Sequence, residues 1–228
     1  MNNLPCFILS RKNSKGLKNK NIKILFNKPL IQHTIDYAKK VKAITDIIIS
    51  TDDPKVAEIA KKNKCIVIFP RPKQLSNDNT NSVSALYHAA THMIKNNYDF
   101  DIFAYLQVTE PLRPKNILNE CIDNLIKNKN ISSSFAGYIV KKNFWFKTRK
   151  NYKMISPSRE SLLPRQKRKP IFREDCGIAL ASRKKVLINK KKLYDNPIKI
   201  VTYSGYEGML DIHSKKDIIL AKTLKKLI

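Results

Sequence analysis

Between Ser10 and Asn21 the chain reads Ser-Arg-Lys-Asn-Ser-Lys-Gly-Leu-Lys-Asn-Lys-Asn, directly after the apolar run Leu4 to Leu9. A cationic loop at the end of a strand invites an anion. Arg11, Lys15 and Lys20 offer fixed charge, and the backbone at Gly16 allows close approach, which together suit a nucleoside triphosphate. The loop lacks the G-x-x-x-x-G-K-[ST] of a P-loop and the several glycines of a dinucleotide fingerprint, so side chains rather than a glycine-rich turn must hold the phosphates. Near the other end of the chain, Asp211 in Leu210-Asp211-Ile212-His213 is the candidate ligand for a hard cation such as Mg²⁺, which prefers carboxylate oxygen. Its competing reading is a strand-end or helix-capping aspartate. His88 and His92 are four apart, but Ala89 stands where a zinc protease motif needs glutamate. Cys6, Cys65, Cys121 and Cys176 stand singly, with no C-x-x-C pair, and read as small core residues.

The elements that must carry these residues follow from periodicity. Apolar runs at Leu4 to Leu9, Ile44 to Ser50, Cys65 to Phe69, Ile102 to Gln107 and Ser132 to Val140 read as buried strands. Helical spacing joins Val83, Leu86, Ala90 and Met93, and also Leu118, Cys121, Ile122 and Leu125. Pro29, Pro54 and Pro114 fall where helices would begin. This alternation predicts an α/β fold, a Rossmann-like three-layer α/β/α arrangement with a mostly parallel sheet. Ligands of such sheets bind beyond the carboxyl ends of the strands. There the chain places Thr51-Asp52-Asp53, Pro70-Arg71-Pro72 and Val108-Thr109-Glu110-Pro111-Leu112-Arg113, beside the first loop. Asp52 and Asp53 also suit a helix cap, and Arg113 suits pairing with the acids of that rim. At 228 residues one domain over 1–228 accommodates the chain. From about 141 to 173 the periodicity fades into Lys, Arg, Pro and single aromatics such as Phe144, Trp145 and Phe146. This stretch reads as an arm serving as lid, dimerisation surface or both. The core then resumes with Gly177 to Ala181, a helix after Ser182, a strand near Ile198 to Tyr203, and a last helix with Ile218, Ala221, Leu224 and Leu227 on one face.

The order of these motifs resembles the acylneuraminate cytidylyltransferases, the CMP-sugar synthetases acting on sialic acid and related nonulosonic acids. Their A-R-x-x-S-K-G-x-x-x-K-N is matched by Arg11, Ser14-Lys15-Gly16 and Lys20-Asn21, with Ser10 in place of the leading alanine. The resemblance continues through Ser50-Thr51-Asp52-Asp53, Arg71-Pro72, Asp78, Leu106-Gln107-x-Thr109-x-Pro111-Leu112-Arg113, Arg165-Gln166 and Asp211-Ile212-x-Ser214-x-x-Asp217. It implies transfer of CMP from CTP to the anomeric hydroxyl of a nine-carbon 2-keto sugar acid, with release of pyrophosphate, for surface glycan synthesis. Arg11, Ser14, Lys15 and Lys20 would contact the triphosphate; Asn21 and Arg71 would lie at the cytidine end with Asp78 supporting that pocket. Gln107 would serve nucleotide and sugar, and Thr109, Lys147, Arg165 and Gln166 the sugar acid. Arg11, Lys15, Lys20 and Asp211 would carry catalysis, Asp211 through Mg²⁺, and the enzyme would be a homodimer. The chain departs from the pattern at His213, where many relatives have a second aspartate, and at Glu110, where serine is usual. It departs again at Phe172-Arg173-Glu174-Asp175-Cys176-Gly177, where relatives often have Asn-Gly-Ala.

Composition bounds the alternatives. With 45 Lys+Arg against 18 Asp+Glu the formal charge is +27, a value that would suit nucleic acid or an acidic membrane surface. The lysines are scattered beside abundant Ile and Asn, so compositional bias explains the excess without a designed patch. No helix-turn-helix, zinc-finger or repeated aromatic pattern accompanies it. No apolar run reaches the roughly 18 residues of a membrane span, and Met1-Asn2-Asn3-Leu4 lacks the features of a secretory signal. A cytoplasmic protein without membrane or nucleic-acid partners is the expectation. A Kdo cytidylyltransferase and a nucleic-acid-binding protein remain the alternatives.

Overall fold

The computed structural model describes residues 3–14, 16–77, 80–155 and 162–226. In chain order it contains β1 (Pro5–Ser10), a short hairpin of β2 (Ile24–Leu25) and β3 (Lys28–Pro29), α1 (Leu30–Ala38), β4 (Asp46–Thr51), α2 (Pro54–Lys62) and β5 (Ile66–Ile68). There follow α3 (Ser82–Lys95), β6 (Ile102–Gln107), α4 (Ile117–Lys127), β7 (Ser133–Val140), a second hairpin of β8 (Trp145–Lys147) and β9 (Tyr152–Met154), and β10 (Ile171–Glu174). The last elements are β11 (Leu180–Arg183), α5 (Lys184–Ile188), β12 (Ile198–Tyr203) and α6 (Lys215–Leu224).

The apolar runs form the middle of one sheet. β1 pairs in parallel with β4 and β6, and β4 with β5; β12 runs parallel to β7 at the far side. Strands buried on both faces need no alternation of polar and apolar residues, which is why these segments read as continuous apolar runs. β10 and β11 run antiparallel, both along one edge of β7, and β11 joins β7 to β6. The expected core segment Gly177 to Ala181 thus begins as a turn and enters the sheet against the main strand direction.

Side chains alternate across β1. Cys6 and Ile8 pack into a core shared with α1, α2, α4 and α6, whereas Phe7 joins α3 and α5 on the other face. The layers expected from the sequence are therefore present. α4 buries Ile117, Leu118, Cys121, Ile122 and Leu125 along one stripe, so truncating Leu118 to alanine would cost about 2–5 kcal/mol. Pro54 opens α2 behind the capping carboxylate of Asp53, which accepts from Lys55 N at 3.0 Å. Pro29 ends β3 just outside α1, and Pro114 lies in the loop before α4, whose first helical residue is Ile117.

Two structural facts position the site. The register Ser10↔Thr51 and Leu9↔Gln107 brings the carboxyl ends of β1, β4 and β6 to one rim. Beyond β7 the arm expected over 141–173 projects as the β8–β9 hairpin, with Trp145, Phe146 and Tyr152 exposed. β10 rejoins the sheet from Ile171, so the return precedes the expected end of the arm. Among the described residues, no helix is long and apolar enough to cross a membrane.

Candidate active site

A cavity of about 410 Å³ opens on that rim. Its walls include Arg11, Ser14, Gly16, Lys20 and Asn21 from the first loop, Arg71 from the loop after β5, and Gln107 and Thr109 at the end of β6. His213 closes it from the segment before α6. No carboxylate stands among its described lining residues, so the field inside is set by cations and backbone dipoles, as an anionic ligand requires.

The two guanidinium groups are held by their neighbours. Arg11 donates through Nη1 to the Asn77 carbonyl at 2.8 Å, and its own carbonyl accepts from Asn21 Nδ2 at 2.8 Å. Asn21 is buried and so braces the loop as well as lining the cavity. Arg71 is only 4% exposed. Its backbone N–H donates to the Thr51 carbonyl at 2.8 Å, its Nε donates to Ser76 Oγ at 3.2 Å, and Asp52 lies 3.8 Å from Nη2. A buried guanidinium needs such partners; burial still draws its proton affinity down, with Asp52 opposing. Asp52 also accepts from Lys12 N at 2.8 Å, so this carboxylate ties the first loop to Arg71, while Asp53 alone caps α2. Burial lowers the Lys20 ammonium from its ordinary pKa and nearby Arg11 adds to this, whereas Asp211 and Asp217 oppose it.

Asp211 stands beside the cavity rather than in its wall. Its side chain is 48% exposed and Oδ2 meets His213 Nε2 at 2.8 Å. The segment is anchored to the end of β6 by Ile212 N donating to the Thr109 carbonyl at 2.8 Å, and Asp217 completes a capping box with Ser214 at the start of α6. Lys147 on β8 and Arg165 and Gln166 in a short 3-10 turn are exposed on the arm and do not line this cavity. Lys15 and Asp78 lie outside the described residues.

The sequence profile of the cytidylyltransferases matches residues 6–216, nearly the whole chain and every strand and loop of this rim. The chain belongs to the cytidylyltransferase family. A pseudaminic acid cytidylyltransferase of Campylobacter jejuni is 35% identical over 130 residues, 57% of this chain and 56% of that protein. A CMP-N,N'-diacetyllegionaminic acid synthase of Legionella pneumophila is 25% identical over 223 residues, 96% of this chain and 95% of its own length. With the Campylobacter relative, the matched region thus spans little more than half of either protein. Among solved structures, a CMP:2-keto-3-deoxy-manno-octonic acid synthetase superposes with a TM-score of 0.69 at 17% identity, covering 99% of this chain and 98% of that one. At that identity the likeness establishes the fold.

The cytidylyltransferase cavity also contains residues that no motif announced. Asn77, Thr80, Asn81, Ser82 and Tyr105 line it; each is a common residue type, made part of the site by the turn after Arg71 and by β6. Arg113 proves to be a brace. Its Nε donates to the Ile178 carbonyl at 3.0 Å, and its Nη2 donates to the carbonyls of Gln107 and Gly177. Glu110 is mostly buried, and burial raises its pKa to about 8, with Asp211 and Asp175 adding to the shift and Arg113 and Arg173 opposing it. The sequence marks Glu110 only as a departure from the family pattern and does not announce its burial.

Proposed function

We propose that this protein transfers CMP from CTP to the anomeric hydroxyl of a sialic-acid-like nonulosonic acid, releasing pyrophosphate. The observation that carries the reading is the cavity in which Arg11, Lys20 and Arg71 converge with Gln107 and Thr109, with no carboxylate among its described lining residues. The anomeric hydroxyl gives up its proton to solvent as its oxygen bonds to the α-phosphorus, the bond to the oxygen bridging to the β-phosphate breaks, and pyrophosphate leaves with the electron pair. Charge accumulates on phosphoryl oxygens, so positioned cations lower the barrier. Arg11, Ser14, Lys15 and Lys20 hold the triphosphate. Asn21 and Arg71, with Asp78, set the cytidine end. Gln107 and Thr109 face the sugar acid.

Asp211 fits a Mg²⁺ site. Mg²⁺ commonly takes one or two carboxylates and completes its shell with phosphate and water, and Asp211 offers a half-exposed carboxylate next to the cation-lined wall. His213 supplies no equivalent of a second carboxylate, because imidazole suits softer ions. When bound, the ion would neutralise charge on the triphosphate. Lys147, Arg165 and Gln166 would reach the sugar acid through movement or pairing of the arm. The exposed aromatics there suit a second copy of the chain, giving a homodimer. The enzyme would act as one domain in the cytoplasm, where CTP is made, and feed surface glycan synthesis.

The test is pyrophosphate release from CTP and Mg²⁺ with pseudaminic, legionaminic and N-acetylneuraminic acids, and with Kdo. Release with at least one nine-carbon acid is expected. Release with Kdo alone, or with no acid, overturns the reading. Light scattering on the same preparation checks the dimer.

A further inference from the structure

Gly177 seats two side chains. A Cβ built on it would lie 2.2 Å from Glu110 Oε2 and 2.8 Å from Gln107 Cδ, so the carboxyl group and the carboxamide end over the same point. Glu110 Oε2 is shut off from solvent and makes no hydrogen bond, an arrangement proteins seldom tolerate without a use for it. Gln107, in contrast, faces the cavity. Its Oε1 accepts a bond of 3.5 Å from Thr109 Oγ1, at the outer limit of hydrogen bonding.

The backbone beneath the pair is fixed. Gln107 N donates to the Gly177 carbonyl at 2.9 Å, and Arg113 binds the carbonyls of Gln107, Gly177 and Ile178. The amide is bonded to the Tyr105 hydroxyl and, at the outer limit, to Thr109, while Glu110 Oε2 is unbonded in this conformation, so what the carboxyl group can change is how the amide is turned among these partners. We propose that Glu110 is a positioning residue for Gln107: its carboxyl group, meeting the carboxamide over Gly177, sets which end of the amide faces the cavity, and thereby the grip on the acid substrate. The inference rests on the reading of Gln107 as a sugar-acid contact.

A protonated Glu110 donates to Gln107 Oε1 and turns the NH₂ group towards the cavity, where it can donate to a carboxylate or hydroxyl of the sugar acid. Ionised Glu110 accepts from Nε2 instead and leaves Oε1 facing the substrate, an acceptor set against an acceptor. The surroundings decide between the two. Arg113 from its own loop and Arg173 from β10 favour the carboxylate; Asp175 from the turn after β10 and Asp211 from the segment before α6 oppose it. The Tyr105 hydroxyl on β6 and the Cys176 thiol adjoin it, both kept protonated mainly by burial. Burial dominates, and Glu110 holds its proton up to about pH 8.

The test uses the full chain labelled with ¹⁵N-glutamine, the Gln107 signal being assigned with Gln107→Glu. The wild-type side-chain amide should titrate with a midpoint near 8, and in Glu110→Gln it should stay constant. With whichever nonulosonic acid is turned over, KM for that acid should rise about tenfold across the ionisation of Glu110 in the wild type, the scale of one mismatched hydrogen bond, at a midpoint below that of the metal-free protein because Mg²⁺ on Asp211 offsets a charge that opposes ionisation. This KM should be flat in Glu110→Gln and raised at every pH in Glu110→Leu. A Gln107 amide that does not titrate in the wild type, or titrates equally in Glu110→Gln, overturns the proposal. So does a sugar-acid KM that neither variant moves. If no acid is turned over, the proposed function fails, and the amide titration still decides the role of Glu110.

Discussion

Gly16 and His213 meet backbone to backbone: a Cβ on Gly16 would lie 2.4 Å from the His213 carbonyl oxygen. This contact joins the cationic loop to the segment that carries Asp211. The glycine is needed here for space, since its φ lies outside the left-handed region. Two parts of the site that are nearly two hundred residues apart in sequence are therefore in register only while position 16 has no side chain.

Gly16→Ala should accordingly fold but misplace the loop against the Asp211 segment. A displacement of about 1 Å in a positioned site can cost on the order of 100-fold in rate, and kcat/KM for CTP should fall by that order while circular dichroism stays native. An alanine variant with unaltered kcat/KM would show that the two segments need not touch during turnover.

Asp211→Ala separates chemistry from stability. The carboxylate is half exposed and its pair with His213 lies at the surface, where such pairs contribute about 0–1 kcal/mol. The melting temperature should thus drop by no more than about 4 °C for a chain of this size. Pyrophosphate release should be lost, and Mn²⁺ affinity, followed by electron paramagnetic resonance, should fall with it. Retained turnover would remove Asp211 from the metal site.

Ser10→Ala should be neutral or stabilising. Ser10 is 1% exposed, and its Oγ has no hydrogen-bond partner at the end of β1. Removing an unsatisfied buried hydroxyl relieves a desolvation cost of about 1–3 kcal/mol, less what the lost atom contributed to packing. Urea denaturation should show an equal or higher midpoint, with unchanged slope. A clear loss of stability would mean that the hydroxyl is satisfied in solution.

Much of this was legible in the sequence, for reasons that can be located. Periodicity exposed the strands because their burial on both faces leaves apolar runs, and the cations of the first loop advertised an anion before any fold was known. The bonds that make the site were hidden because they are long-range. Lys12 N to Asp52 spans 40 residues and Arg11 to the Asn77 carbonyl spans 66, so Asp52 read as a cap and Asn77 as nothing. Glu110 was unreadable for a different reason: its character comes from the seat over Gly177, a residue on the turn between β10 and β11.

That seat leads to a prediction about stability and pH. Folding raises the Glu110 pKa from 4.5 to about 8, so between those values the folded chain binds a proton that the unfolded chain has released. By linkage this contribution to stability is complete below the unfolded pKa, declines as pH rises, and is gone once pH passes the folded value. The wild type should therefore lose stability progressively from about pH 4.5 to 8, over and above the effects of its other groups. Glu110→Gln keeps a neutral polar group of the same size in the seat and cannot ionise, so its urea midpoint should vary less across that window and should exceed that of the wild type most clearly near pH 8. Parallel profiles for the two proteins would mean that Glu110 ionises in the folded chain as readily as in the unfolded one, which its burial against Gly177 argues against.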